Sequence, residues 1–160
     1  MIKNDETIAR KIGDIELSIL NEFDSFCAHN DIRYFVDYGT LLGAVRHQGF
    51  IPWDDDIDIS MLRADYEKMQ HLAMKEFAGD IFFQSTYTDS QVMQVTKIRD
   101  RRTTAIEYPE LDGSFCQGIF IDIFPMDDAV DDIHFTDQMK EIERECLLSA
   151  VNPKLLLEQI

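Results

Sequence analysis

Four aspartates in the segment IPWDDDIDISM, residues 51–61, are the first residues of this 160-residue chain whose types and spacing could do chemistry. Carboxylates about 6 Å apart repel by roughly 3 kcal/mol at an effective dielectric near 20, so a fold seldom gathers them without cations nearby. The segment alternates between apolar and polar residues, and a strand with this period would place Asp54, Asp56 and Asp58 on one face. We interpret it as a metal site, although an exposed acidic turn has the same composition.

Three apolar residues of this segment, Trp53, Ile57 and Ile59, are expected to anchor it in the core. Asp55 interrupts the alternation because it falls on the apolar side. We place Asp55 at the mouth of the strand, where the chain is not yet buried.

A further carboxylate lies in the apolar run IFIDIF, residues 119–124, which is typical of a central strand. Ionised Asp122 would be costly there unless it is paired or bound to a metal. Two interpretations follow. Asp122 forms a salt bridge with an arginine of residues 99–102, or strand pairing brings it beside Asp56 and Asp58 as a third carboxylate.

Gly39 and Thr40 separate a predicted strand, Ile32–Tyr38, from a helical pattern that runs from Thr40 to Arg46. A helix that starts at the end of a strand offers free backbone N–H groups and a dipole that favour an anion. Most turns of this composition are only turns, so the phosphate role of this pair depends on its neighbours.

A short basic run stands out in so acidic a chain. Lys97 and Arg99 would share one face of a predicted strand, and Arg101 and Arg102 follow it. The run either clamps phosphate or neutralises nearby aspartates, and the sequence leaves both interpretations open.

Apolar periodicity predicts the elements that must position these residues. A long amphipathic helix begins at Asn4 or Asp5 and ends near Asn30, and a second helix begins after Ser60 and is closed by Gly79. The remaining predicted elements are paired strands at 81–87 and 92–98, an edge strand at 103–107 and a last helix from Phe135 to Asn152.

The composition excludes some function classes. The chain has 31 acidic and 15 basic residues and a formal charge of −16, which disfavours nucleic acid and anionic membranes as partners. Three widely spaced cysteines match neither a zinc nor a redox pattern. With no apolar leader or membrane-spanning segment, we expect one cytoplasmic domain over residues 1–160.

The motifs GTLLGAVRHQGFIPWDDDIDI, KIRD and GIFIDIFPMD, in this order, resemble the LicD family of phosphotransferases, which belongs to the nucleotidyltransferase-fold superfamily and is related to the fukutin-type enzymes. The resemblance covers roughly residues 30–130. It implies an α/β (α+β) fold, with a nucleotidyltransferase-like mixed β-sheet flanked by helices. Chains of this family usually extend further, which leaves open whether the domain is truncated at its C-terminus.

The resemblance also implies roles for individual residues. Asp56 and Asp58 match the metal-binding DxD pair and Asp122 the third carboxylate, so these three are the expected catalytic and metal-binding residues. The expected substrate-binding residues are Gly39, Thr40, Arg46, His47 and Lys97 from the resemblance, and Arg99 from the basic run. Trp53 and Asp54 match positions typical of the family.

The implied reaction moves a phosphoalcohol, typically phosphocholine, from a CDP-linked donor to a hydroxyl of a glycan destined for the cell surface. Ligands that are all oxygen favour Mg²⁺ or Mn²⁺ over zinc. Two alternatives remain open: nucleotidyl transfer to a sugar or another small molecule, and a non-catalytic module that binds a nucleotide or a cation. The sequence leaves the oligomeric state open.

Overall fold

The computed structural model describes residues 6–89, 95–107, 115–128 and 137–141. Backbone packing divides the chain into two units, residues 1–126 and 127–160; the single domain expected over residues 1–160 stays a prediction. The elements of the first unit are α1 (Glu6–His29), β1 (Phe35–Val36), α2 (Tyr38–His47), β2 (Asp58–Leu62), α3 (Arg63–Glu76), β3 (Ile81–Gln84), β4 (Thr96–Asp100) and β5 (Ile119–Met126).

Residues 137–141 of the second unit are helical, and the rest of the predicted last helix lies outside the described residues. Among the described residues, no helix has both the length and the apolar character needed to cross a bilayer.

The strands form one mixed sheet in the order β1-β2-β5-β4-β3. Strands β2 and β5 run parallel, and the other neighbours are antiparallel. Helix α1 packs against β4 and β5, and α3 packs against β2 and β5. The α/β fold with helices on a mixed sheet is therefore confirmed.

Alternation along the strands separates the core from the polar face of the sheet. One face presents apolar side chains that join the apolar stripes of α1 and α3 in a single cluster, including Ile59, Ile98 and Ile121. The residues next in sequence, among them Asp58 and Asp122, therefore point to the opposite face. The apolar core on one face of the sheet thus fixes the positions of the carboxylates on the opposite face.

Two predicted strands are shorter in the structure. The strand predicted at Ile32–Tyr38 is confined to β1, because Asp37 caps α2 and Tyr38 adopts a left-handed backbone with φ 44°. The strand predicted at 51–61 begins only at Asp58. Before it, the backbone N–H of Asp54 donates to the carbonyl of Ile51 at 2.9 Å, which closes a turn around Pro52.

The same turn changes the packing of the acidic segment. The prediction that Trp53 anchors it in the core is wrong, because the turn leaves this side chain 73% exposed. The predicted anchors Ile57 and Ile59 are confirmed, since both are buried. Asp55 is exposed, as expected before the strand begins.

The edge strand predicted at residues 103–107 is wrong, since these residues form no strand. Asp100 turns the chain away from the sheet: its carboxylate accepts from the backbone N–H of Arg102 at 2.9 Å, and its carbonyl accepts from the hydroxyl of Thr103 at 2.7 Å. Strand β3 is also shorter than predicted because a turn at Ser85–Thr88 ends it.

Candidate functional site

Three neighbouring strands place charged residues in one row. In the parallel pairing of β2 with β5, Asp58 lies opposite Asp122, and in the antiparallel pairing of β4 with β5, Lys97 lies opposite Asp122. Residues in register on adjacent strands point to the same face. The row therefore runs from Asp58 through Asp122 to Lys97.

Asp56, Asp58 and Asp122 form the carboxylate cluster of this site. Each offers an oxygen, and these oxygens all lie within 4.8 Å of one another. Asp56 and Asp58 are half-buried and Asp122 is 9% exposed. The structure thus brings together the three residues that the sequence selected. As hard oxygen donors at this spacing, they fit Mg²⁺ or Mn²⁺.

The cluster is strained electrostatically. Burial, with Asp56 and Asp122 adding to it, raises the pKa of Asp58 to about 6. Burial and the neighbouring Asp54 and Asp122 likewise raise the pKa of Asp56, while Lys97 lowers it. Carboxylates that repel one another favour a bound cation, because its charge removes the repulsion.

Asp122 also belongs to an ion pair. The Nζ of Lys97 lies 2.6 Å from its Oδ1 and 3.2 Å from Oε1 of Glu107, and it stands 3.5 Å above the ring of Phe120. Burial raises the pKa of Asp122, and the charge of Lys97 and its hydrogen bond oppose that rise. The sequence considered an arginine partner for Asp122, and the structure places Lys97 there instead.

Arg99 is fully buried and bound to the protein itself. Its guanidinium donates to Gln84, to Glu107 and, at 2.7 Å, to the carbonyl of Gly118. Arg102 pairs with Asp100. Neutralisation of acidic neighbours thus accounts for these two members of the basic run, and a substrate contact by Arg99 stays a prediction.

The start of α2 is fixed to β2 by hydrogen bonds. The backbone N–H of Asp58 donates to Oγ1 of Thr40 at 2.8 Å, and the hydroxyl of Ser60 donates to Asp37 at 2.7 Å. The hydrogen bonds from Ser60 and from the N–H of Tyr38 lower the pKa of Asp37. Thr40 therefore positions Asp58.

Gly39 matters because of its close approach to Asp54. A Cβ atom at Gly39 would lie 2.3 Å from Oδ2 of Asp54, so only a glycine leaves room for this carboxylate against α2. The contact places the helix start beside the acidic segment. The phosphate-binding roles of Gly39 and Thr40 stay predictions.

Arg46 and His47 lie in the last turn of α2, at the end opposite Thr40, and both are exposed. Six residues separate Thr40 from Arg46, which is about 9 Å along a helix axis. The Nε of Arg46 donates to Nδ1 of His47 at 3.3 Å, and the imidazole packs edge-on against Trp53. Their substrate contacts stay predictions.

Sequence reasoning missed three residues around the site: Glu16, Asp37 and Glu107. Glu16 is buried, and its signal was its place in the apolar stripe of α1, between Ile12 and Ile19. Asp37 could have been found as an N-cap residue before a helix. Glu107 gave no signal, because its contacts depend on the path of a loop.

Comparison with known proteins places the site in context. The family model described as LicD/FKTN/FKRP, nucleotidyltransferase domain, matches residues 31–152. The lipopolysaccharide cholinephosphotransferase LicD of Haemophilus influenzae is 44% identical over 71 residues, which cover 44% of this chain and 23% of that protein.

Two further relatives align over shorter segments. An uncharacterized protein of Rickettsia prowazekii is 43% identical over 54 residues, covering 34% of this chain and 20% of that protein. Human ribitol 5-phosphate transferase FKRP is 40% identical over 50 residues, covering 31% of this chain and 10% of that protein. The matched segments span less than a quarter of each of these relatives. No solved structure gives a significant match.

Proposed function

Because the chain belongs to the LicD family, we propose that it transfers a phosphoalcohol, such as phosphocholine, from a CDP-linked donor to a glycan hydroxyl in the cytoplasm. A cholinephosphotransferase and a ribitol 5-phosphate transferase among its relatives support the phosphotransferase part of this proposal. The observation that carries it is the cluster of Asp56, Asp58 and Asp122, with one oxygen of each within 4.8 Å of the others.

The cluster would hold Mg²⁺ or Mn²⁺ through Asp56, Asp58 and Asp122. When bound, such a cation neutralises phosphate charge and polarises phosphoryl oxygens. Three carboxylate ligands leave room for the donor's phosphates, because Mg²⁺ usually combines a few carboxylates with water and substrate oxygens.

The other steps fall to side chains of the chain itself. Phosphoryl transfer depends mainly on positioning and on stabilisation of charge. Lys97 supplies a positive charge in the same row as the carboxylates and would face the transferred group. The carboxylate of Asp122 would accept the proton of the attacking hydroxyl, since burial raises its pKa and a higher pKa makes a carboxylate a stronger base.

The test is release of CMP from CDP-choline and other CDP-alcohols, with Mg²⁺ and with EDTA. Asp56→Asn removes a ligand and a charge, so we expect transfer to fall on the order of 1,000-fold, because a metal ion contributes several kcal/mol to the transition state. Asp55→Asn is the matched control, since it removes the adjacent charge from an exposed side chain. Wild-type turnover by Asp56→Asn would contradict the proposal.

One rival reaction has an observation in its favour. The matching family model is described as a nucleotidyltransferase domain, and such an enzyme would consume a nucleoside triphosphate and release pyrophosphate. Adding nucleoside triphosphates to the donor screen, and measuring both CMP and pyrophosphate, separates the two reactions. Cation-dependent donor binding without either product would identify a binding module.

A further inference from the structure

Glu16 is a buried acid in a cavity that it shares with other acids and with Arg10. It lies on α1 with 3% of its surface exposed, and its Oε2 has no hydrogen-bond partner in the described part of the chain. Buried polar atoms without a partner are rare in folded proteins. The family match begins at residue 31 and does not include this residue.

The surroundings of Glu16 face the acidic segment. Glu16 lines a cavity of about 200 Å³ together with Asp54 and Asp55. Burial raises the pKa of Glu16 to about 8, and Asp56, Asp55, Asp54 and Asp122 add to the rise in that order. The carboxyl group is therefore within electrostatic reach of the residues that form and flank the carboxylate cluster.

We infer that Glu16 is a positioning residue of the cation site, which it reaches through water in this cavity. The inference rests on the proposed function, because it requires a cation on Asp56, Asp58 and Asp122. Since Mg²⁺ and Mn²⁺ keep some of their water, carboxylates beyond the direct ligands orient that water and strengthen binding. A water takes about 30 Å³ of liquid volume, so the cavity has room for water between Glu16 and the acidic segment at Asp54 and Asp55.

A purely structural role would be filled better by an apolar residue. Glu16 continues the stripe formed by Ile12, Ile19 and Phe23, all of which face the core. A leucine at this position would complete the stripe and remove an unpaired buried oxygen. An acid at position 16, next to other acids, is explained if its carboxylate helps to bind the cation.

The experiment measures Mn²⁺ affinity of the full chain at pH 8 from the electron paramagnetic resonance of free Mn²⁺. Glu16→Gln and Glu16→Leu are compared with the wild type, and the melting temperature of each is measured in EDTA. We expect the Kd to rise about tenfold or more in both variants, the usual effect of losing such a residue. The melting temperature of Glu16→Leu in EDTA should equal or exceed that of the wild type.

Two further variants identify the cause of any change. Glu22→Gln removes one charge from an exposed position farther along α1, outside the lining of this cavity, and screening by solvent should keep its Kd within about twofold of the wild type. Asp58→Asn removes a ligand and should abolish tight binding. If the wild type binds no Mn²⁺, or Asp58→Asn binds it normally, the proposed function itself is wrong.

The inference about Glu16 fails separately. A wild-type Kd in either folded Glu16 variant, while Asp58→Asn binds weakly, overturns it and leaves the proposed function standing. An equal loss of affinity in Glu22→Gln overturns it too, because the effect would then be one of general charge. If both Glu16 variants unfold in EDTA, Glu16 is a structural residue.

Discussion

The β4 and β2 sides of the sheet differ in which buried charges they bring together. On the β4 side, Arg99 and Lys97 both pair with Glu107, so unlike charges meet. On the β2 side, Asp56 and Asp58 face each other and Asp122 across no more than 4.8 Å, so like charges meet. Strand β5 lies between them, and its Asp122 takes part in both arrangements.

The difference separates structural charge from functional charge. A buried charge that serves the fold needs its partner within the chain, because an unpaired one is costly. A group of like charges lowers stability, and a fold retains it where a ligand supplies the missing charge. The comparison therefore predicts that removing Arg99 from the β4 side mainly affects stability, whereas substitutions on the β2 side mainly affect binding.

The largest expected effect on stability comes from Arg99→Met. The substitution leaves Glu107 and Gln84 without the guanidinium that binds them, and breaking a buried pair by removing one partner costs about 3 kcal/mol or more. We expect the free energy of unfolding in urea to fall by that amount.

Arg33→Met is the control for this loss. Arg33 pairs with Asp65 at 3.3 Å, but its side chain is 75% exposed, so removing it should change the free energy of unfolding by less than about 1 kcal/mol. If Arg99→Met is as stable as Arg33→Met, the β4 side is not held together by paired charge.

A smaller effect is expected from pH in the absence of a cation. Folding raises the pKa of Glu16 from 4.5 to about 8 and that of Asp58 from 3.8 to about 6. Groups with a raised pKa bind protons more tightly in the native state, so stability falls as the pH rises through this window. We expect the melting temperature in EDTA to drop by about 5 °C between pH 5 and pH 8.

Mg²⁺ should reverse this trend, since it binds the ionised carboxylates and its stabilisation grows with pH. Asp37 and Asp100 have lowered pKa values, and their contributions are lost only below about pH 4, outside the window. Asp58→Asn should reduce the drop in EDTA. If the melting temperature in EDTA rises from pH 5 to pH 8, repulsion between the like charges does not destabilise the fold.

The carboxylate cluster could be predicted because its signals are local. Alternation selected Asp56 and Asp58, although only Asp58 lies in a strand, and the apolar run around Asp122 predicted a central strand that can pair with it. The α/β class followed from the order of apolar patterns and from the family resemblance, which covered much of the same stretch.

What could not be predicted depends on contacts between distant residues. The alternating pattern of residues 51–57 does not distinguish a strand from the turn that the structure shows. The sequence therefore contains no sign that Trp53 is exposed. Lys97 was chosen as a substrate residue, and only the register of β4 on β5 shows it paired with Asp122. Glu16 interrupted the apolar stripe of α1, but the sequence did not show that its carboxyl group lies near the acidic segment.

The smallest expected effect tests whether Asp54 belongs with the like charges of the β2 side. Gly39→Ala places a methyl group where Oδ2 of Asp54 now lies, 2.3 Å away, so the carboxylate must rotate out. Because this end of the side chain is flexible and alanine favours helix by about 1 kcal/mol, stability should be kept. Moving a charge away from the cluster should weaken Mn²⁺ binding about threefold.

Gly79→Ala is the control, because a Cβ atom at Gly79 meets nothing within 4 Å, and this variant should bind Mn²⁺ like the wild type. If the Kd of Gly39→Ala is also unchanged, Asp54 lies outside the cation site.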